Sequence, residues 1–226
     1  ITLNQPTMRQ ILKFGEGEYL STVSAFTSQP FDMPYPLSQM GIDFAEIKPF
    51  ELFCLLIAGV PQSNSQLLFG DLDFSKFVPV VKEDELVLIN QDGIIIDSIT
   101  RERIADNLRR MHGMSKNIIT SCENKFTHDL LISQQKKDIE KAQRRAEMFG
   151  ESSVYGSFIS SLAYKWHSYD AVLDLKIGQF FDAIVRMGYE QVATNLYRGI
   201  YSGNVSFKDI NKKDLDWMRP IKTQNK

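Results

Sequence analysis

Residues 77–97 are rich in β-branched side chains, whereas most of the remaining chain follows helical patterns. Three short apolar runs predict strands there, and Asn90-Gln91-Asp92-Gly93 supplies the glycine that a tight hairpin turn requires. Pro79 cannot donate to a strand ladder, so the first run must lie at a sheet edge or break there. A two- or three-stranded sheet is marginal alone and needs helices to pack against. We therefore predict a mainly α-helical α+β fold containing a small antiparallel β element.

The region before this element predicts short helices. Thr7 and Gln10 have the spacing of a capping box, which places a helix start there. Gly15 and Gly17 weaken the middle of that helix by about 1 kcal/mol each relative to alanine. Pro49 opens another helix, which is apolar on nearly every face and should be buried on more than one side.

The region after the hairpin predicts longer helices. Asp97 caps a helix to about Met111. Its apolar face comprises Ile99, Ile104, Leu108 and Met111, and Arg101, Arg103, Arg109 and Arg110 point elsewhere. Thr127–Phe149 has only a thin apolar stripe and should be half exposed. Further helices cover 153–164, with Val154, Phe158, Ile159 and Leu162 inward, and 175–201, with Gly188 as a candidate break.

This pattern divides the chain into an N-terminal helical part with the hairpin, residues 1–113, and a C-terminal helical part, residues 114–226. The second part contains the long charged helix and an aromatic end. One continuous domain is the alternative, because 226 residues suit a single sizeable core.

Charge is distributed unevenly along the chain. Residues 1–97 carry five basic and thirteen acidic side chains, a net −8, and residues 98–226 carry twenty-one basic and fifteen acidic ones, a net +6. Such asymmetry is compatible with nucleic-acid binding. However, Asp138, Glu140 and Glu147 interleave with the lysines and arginines of the long helix at ion-pairing spacings. We therefore favour a solvated outer face, and nucleic-acid binding is the less favoured function.

The sequence contains no catalytic or cofactor motif that we can identify. His112, His128 and His167 lie too far apart for a local metal motif, and Cys54 and Cys122 form neither a disulfide framework nor a zinc pattern, which suits a reducing compartment. No nucleophile elbow is present, and Gly15-Glu16-Gly17 does not follow a strand, as a phosphate loop would. We expect no enzyme activity, no catalytic residue, no metal, no cofactor and no small-molecule substrate.

The longest apolar stretch, Phe50–Val60, has eleven residues, whereas a membrane-spanning helix needs about twenty. We therefore expect no membrane partner. Residues 1–6 do not resemble a secretory signal. Because the chain begins with Ile1, we expect the native start to lie upstream.

Aromatic side chains are concentrated near the end of the chain. Tyr and Trp combine a large contact area with a polar group, and they are enriched where proteins bind each other. The candidate interaction residues are Trp166, Tyr169, Tyr197, Tyr201 and Trp217.

Scattered motifs over nearly the whole chain resemble one family. They are Asn4-Gln5-Pro6-Thr7, Phe14-Gly15-Glu16, Phe50-Glu51-Leu52-Phe53, Ile96-Asp97, Arg109-Arg110-Met111-His112, Ser160-Ser161-Leu162-Ala163, Ile200-Tyr201-Ser202-Gly203-Asn204 and Asp214-Leu215-Asp216-Trp217-Met218. Together they resemble tail-morphogenesis proteins of bacteriophages that infect Gram-positive and related bacteria. The chain departs from that pattern at Ser202, where a small or β-branched residue is usual, and at Asp216, where asparagine is usual.

The resemblance implies a tail assembly chaperone that binds tape-measure and tail-tube subunits, or itself, in the host cytoplasm during phage assembly. The alternative that it implies is a structural component of the virion, in the tail, baseplate or neck. It provides no catalytic residues.

Overall fold

The computed structural model describes residues 1–117, 119, 121–122, 124–150 and 153–221. The helices are α1 Met8–Phe14, α2 Glu16–Thr27, α3 Pro34–Gln39, α4 Pro49–Ile57, α5 Gln62–Phe69, α6 Ser98–Met111, α7 Lys125–Phe149, α8 Gly156–Trp166, α9 Tyr169–Leu173 and α10 Ile177–Tyr201. The strands are β1 Val78–Lys82, β2 Glu85–Ile89 and β3 Ile95–Ile96, and short 3-10 turns cover Pro30–Asp32, Phe74–Lys76, Phe207–Asp209 and Lys212–Asp214. The predicted mainly helical α+β fold is confirmed.

The three strands form an antiparallel sheet in the order β1-β2-β3. Glu83 and Asp84 connect β1 to β2, and both have positive φ, as a type I′ turn requires. In such a hairpin the flanking pair Lys82–Glu85 exchanges backbone hydrogen bonds, and so does every second pair along the strands. The backbone groups of the intervening residues of β1, Pro79 among them, therefore face the free edge of the sheet. Pro79 therefore costs the sheet no internal bond and blocks pairing at its open edge.

Glycine divides the first predicted helix into two. The capping box at Thr7 and Gln10 is present, and α1 starts there as predicted. The chain then turns at Gly15, whose φ of 118° lies outside the helical region, and α2 begins at Glu16. The prediction of one continuous helix with a weak middle was wrong, because Gly15 adopts a conformation that side chains with a Cβ rarely reach.

Helix α6 starts at its predicted cap, Asp97, but two of its arginines face inward. Arg101 is 1% exposed and Arg109 is 5% exposed, so the prediction that both point away from the buried face was wrong. Ile99, which the pattern placed on the apolar face, is 63% exposed. The inward arginines are accommodated because they bind carbonyl groups at the end of α2, as described below.

Two clusters of apolar side chains form the interior. The main core takes residues from α1, α2, α4–α6, the sheet, α8 and the start of α10, and therefore from both predicted parts of the chain. A smaller cluster around Leu37, Phe44 and Leu52 contacts Leu131 and Ile132 of α7. Helix α4 is mostly buried, as predicted, although Leu55 on its outer face is exposed.

The last helices differ from prediction in two details. Helix α10 runs without interruption through Gly188, so the candidate break there was wrong. Helix α8 buries Ile159 and Leu162 as expected, but Val154 and Phe158 are exposed.

Among the described residues, no single helix is long and apolar enough to cross a membrane. Helices α4 and α5 reach that length and hydropathy only when they are taken together, and they are bent by 117° relative to each other.

Candidate functional site

The five predicted interaction residues all lie at the surface, and between 40% and 85% of the area of each residue is exposed. Trp166 ends α8 and Tyr169 begins α9, on either side of His167, which has a left-handed backbone. Tyr197 and Tyr201 lie in the last turns of α10. Trp217 belongs to the segment that follows. The aromatic end is therefore a set of three surface positions.

Tyr197 and Tyr201 form the one stacked pair within this set. Their ring centroids are 6.3 Å apart and the ring planes differ by 21°. The four-residue spacing places both rings on one face of α10, where neighbouring turns meet. Tyr201 is 85% exposed, so most of this ring pair is available for contact.

The C-terminal segment folds back onto α10 and holds Trp217 in place. Arg186 donates hydrogen bonds from Nη1 to the carbonyl oxygens of Trp217, at 2.6 Å, and Arg219, at 2.8 Å. The Arg219 guanidinium lies 4.2 Å from the ring centroid of Tyr189 and also pairs with Asp214. These contacts fix the backbone around Trp217, so that its ring stays at the surface at low entropic cost.

Helix α7 is the only α-helix of the described chain in which no residue is buried. Its N-terminal half is held by specific contacts. His128 stacks on Phe44 with ring centroids 4.5 Å apart. The Gln135 side chain accepts from the backbone N–H of Tyr35 at 2.8 Å and donates to the carbonyl of Asp32 at 2.7 Å.

The C-terminal half of α7 forms one wall of an open groove of about 1330 Å³. The other wall is the start of α2. The lining residues are Glu16, Gly17, Glu18 and Leu20 of α2, Asp138, Lys141, Ala142, Arg145, Ala146 and Phe149 of α7, and Gly150, Ser153 and Val154 beyond it.

The two walls of this groove differ in charge. The α2 wall carries Glu16 and Glu18, and the α7 wall carries Lys141 and Arg145, with Asp138 at one end. No ion pair among the described residues crosses the groove. Apolar groups lie between the charges, since Leu20, Ala142, Ala146, Phe149 and Val154 also line the groove. Phe149 is 81% exposed.

A signal for this groove is visible in the spacing of α7. Positions 132, 135, 139, 142, 146 and 149 recur at alternating steps of three and four, the repeat of a helix that packs along another helix. Ile132 packs on the smaller apolar cluster and Gln135 bonds to the segment before α3 and its start, and Ala142, Ala146 and Phe149 line the groove. The apolar pattern of the sequence predicted Ile139, Ala142, Ala146 and Phe149 as stripe residues, with Leu130 and Leu131 before them and not positions 132 and 135. Nothing in that pattern identified α2 as the opposite wall.

Most cations of α7 lie on its solvent face, as predicted. The Glu140 carboxylate forms ion pairs with Lys136 at 3.9 Å and with Arg144 at 3.6 Å, each one turn away. The predicted ion pairs are confirmed for this carboxylate. Exposed pairs of this kind contribute only about 0.3–0.5 kcal/mol each.

A buried polar network joins α2 to α6, and the sequence pattern did not predict it. Arg101 donates to the carbonyl of Ser28 at 2.5 Å, and Arg109 donates to the carbonyl of Thr27. These carbonyls end α2, where the helix dipole is negative, so two cations stabilise that end. Glu102 accepts from both arginines at the rim of the network. In each guanidinium one nitrogen binds a backbone carbonyl and another binds Glu102, whereas the buried Nε of Arg101 has no hydrogen-bond partner among the described residues.

His112 forms a second buried contact between the same helices. Its Nδ1–H donates to the carbonyl of Leu108 at 2.7 Å, so its Nε2 accepts from the Tyr19 hydroxyl at 2.8 Å. Burial lowers the pKa of His112, since the charged ring would lose its hydration. The same desolvation raises the pKa of Tyr19. The pair therefore stays neutral near pH 7.

The remaining chemical groups are dispersed. Within the described ranges, no three His, Cys, Asp or Glu side chains lie close enough to hold a metal ion. Burial raises the pKa of the Cys54 thiol to about 11, so this side chain stays protonated and behaves as a small apolar group.

Comparison with protein-family models, with characterised proteins and with solved structures finds no match for this chain.

Proposed function

We propose that this protein acts without catalysis, through protein–protein contacts, as a tail assembly chaperone of a bacteriophage. In this role it binds the tape-measure protein and tail-tube subunits in the host cytoplasm. The phage assignment depends on the sequence motifs that resemble tail-morphogenesis proteins. The contact mechanism depends on the structure.

The proposal that the protein acts through protein–protein contacts depends chiefly on α7, a helix of 25 residues in which no residue is buried. A helix gains most of its stability from packing an apolar face, and isolated helices are marginal in water. Ala142, Ala146 and Phe149 of its stripe line the groove and are not buried in the core. A helix of this kind is suited to packing on a partner.

The aromatic end supplies a second surface of the same character. Tyr197 and Tyr201 offer two adjacent rings, and Trp217 is held at the surface by backbone contacts. Preformed aromatic contacts bind with little loss of conformational entropy. A chaperone needs contacts that form and release, and separate exposed patches suit this better than one large interface.

Co-expression with the tape-measure protein tests the proposal. The protein carries an affinity tag, and the tape-measure protein should co-purify with it. Tyr197→Ala combined with Tyr201→Ala should weaken this association about tenfold or more, since buried aromatic anchors at interfaces often exceed 1 kcal/mol. The control is Phe126→Ala, which removes another exposed ring, at the start of α7.

Mass spectrometry of purified virions separates the two roles that the family resemblance implies. A chaperone should be present in infected-cell lysate and absent from the particle. A stoichiometric amount in the particle would instead identify a structural component of the tail, baseplate or neck. Failure to bind any tail protein would overturn both.

A further inference from the structure

We propose that the groove between α2 and the C-terminal half of α7 is the docking site for an amphipathic helix of a partner protein. The inference rests on the proposed function, because it assigns a place where the partner of that function binds. It also specifies the chemistry of the partner's surface.

The length of the α7 wall suits a short helix. The groove-lining residues of α7 run from Asp138 to Phe149, which is about three turns or about 18 Å. A partner helix of three turns is therefore matched in length to this wall.

The side chains of the walls permit close approach. Ala142 and Ala146 are small, and Gly17 has no atom within 4 Å of the position that a Cβ would occupy. A partner backbone can therefore approach both walls. Phe149 and Val154 are exposed at one end and would be covered by the apolar stripe of the bound helix. That burial is the favourable term for docking.

The charges select the occupant. Glu16 and Glu18 face one side of the groove, and Lys141 and Arg145 face the other. A helix whose apolar stripe has a basic edge and an acidic edge can satisfy both walls at once. Electrostatic complementarity of this kind determines specificity more than affinity.

A second copy of this chain fits less well. Its most exposed helix is α7, and the groove-lining face of α7 carries Lys141 and Arg145 against the single acid Asp138. The α2 wall would attract that face, but the α7 wall would repel it. The occupant that satisfies both walls is therefore a helix of a different protein.

The test uses three stapled helical peptides of fourteen residues that share one apolar stripe. The first has one basic and one acidic edge, the second has two acidic edges, and the third has two basic edges. Stapling provides the helix in advance, so binding reports the contacts rather than helix formation. Affinity for the full chain is measured by fluorescence anisotropy at low salt.

The peptide with mixed edges should bind about tenfold more tightly than either of the others, because each of the others places like charges against one wall. Lys141→Glu combined with Arg145→Glu makes both walls acidic. In that variant the peptide with two basic edges should bind best. This reversal is the decisive result.

The matched control is Lys137→Glu combined with Arg144→Glu. It changes the charge of α7 by the same amount, but neither residue lines the groove. The order of the three peptides should be unchanged. If the control also reverses the order, the charge of the helix as a whole is responsible and the groove assignment is wrong.

Two other results would overturn the proposal. One is the absence of binding by the mixed-edge peptide up to millimolar concentration. The other is a dimer of the free protein, seen by sedimentation, that the Lys141→Glu and Arg145→Glu variant abolishes, since the occupant would then be a second copy.

The two proposals fail independently. If the tape-measure protein co-purifies equally with the wild type and the groove variant, the groove assignment fails and the function stands. If the peptides bind as expected but no tail protein co-purifies, the groove stands and the phage function fails.

Discussion

Helices α7 and α10 have the same length, 25 residues, but they are attached to the protein in different ways. Helix α10 buries Ile177, Phe180 and Ala193. Its first residue also donates a backbone hydrogen bond to the carbonyl of Pro6 at 2.9 Å. Helix α7 buries no residue and is held by polar and partly buried contacts in its first half.

The difference lies in where the large apolar side chains fall. In α10 they are concentrated in the first turns, and these turns enter the main core next to α1 and α8. In α7 the stripe passes from isoleucine to alanine before it ends at the exposed Phe149, so the turns around Ala142 and Ala146 have little apolar area to bury. Two helices of equal length can therefore serve different purposes, one as part of the core and the other as a wall that stays open.

Phe180→Ala in α10 should cause the largest loss of stability among the substitutions that compare the two helices. Phe180 is fully buried and its ring contacts Tyr155 and Phe181, so its removal leaves a cavity. We expect a loss of about 3–5 kcal/mol in the free energy of unfolding, measured by urea denaturation. Phe149→Ala in α7 is the control and should change stability by no more than about 0.5 kcal/mol. Equal losses would contradict the comparison.

Gln135→Ala should release α7 without unfolding the body. The substitution removes two hydrogen bonds that join α7 to Tyr35 and Asp32, a loss of about 1–2 kcal/mol. Hydrogen exchange measured by mass spectrometry should accelerate in α7 and stay unchanged in α10. Gln143→Ala makes the same change at an exposed position of α7 and should leave exchange nearly unaltered. Acceleration in both helices would mean that α7 is not held separately.

The buried contact between His112 of α6 and Tyr19 of α2, which lies beside α10, should weaken in acid. His112 bonds to Tyr19 and its ring lies 6.3 Å from that of Phe181 in α10. Because its pKa is lower in the folded protein than the unfolded value near 6.5, the unfolded state binds more protons below that pH. Stability is therefore fully present above about pH 6.5 and falls as the pH decreases below it.

Urea denaturation between pH 7.5 and 5 measures this loss. His112→Gln should flatten the pH dependence, whereas His128→Gln in α7 should leave most of it in place. If the two variants behave alike, His112 is not the titrating group. Each unit of difference between the folded and unfolded pKa is worth about 1.4 kcal/mol.

Gly188→Ala should produce the smallest effect, a gain in stability. No atom lies within 4 Å of the position of its added Cβ, and alanine favours a helix interior by about 0.5–1 kcal/mol. Gly199→Ala in the same helix is the contrast, because its Cβ would lie 2.8 Å from Val205. Thermal unfolding should show a higher midpoint for the first and a lower one for the second. A loss at Gly188 would show that α10 needs flexibility there.

Local sequence signals predicted many of the element boundaries. The capping residues at Thr7 and Asp97, the proline at the start of α4 and the glycine of the β2–β3 turn are present in their predicted roles. Each acts over three or four residues, so its effect does not depend on distant parts of the chain. The sheet edge at Pro79 follows from the same local chemistry.

The failed predictions at Gly15 and Gly188 were local, but those for the arginines of α6 failed because a distant group decides the outcome. Arg101 and Arg109 were assigned to the surface because charged side chains are rarely buried, yet the end of α2 provides carbonyl acceptors for both. The groove depends in the same way on α2, whose groove-lining residues lie more than a hundred positions before those of α7 in the sequence. No local pattern contains that information.

The amino-acid sequence by itself determined which segments are helices and strands, where several of them begin, and that α7 would have too few large apolar residues to bury itself. The tertiary structure alone decided which faces meet: that two arginines cap α2, that α10 enters the core and α7 does not, and that a groove with oppositely charged walls stays open. The physical reason is range, since capping, turns and periodicity act between neighbours, whereas burial and charge complementarity depend on residues that folding brings together.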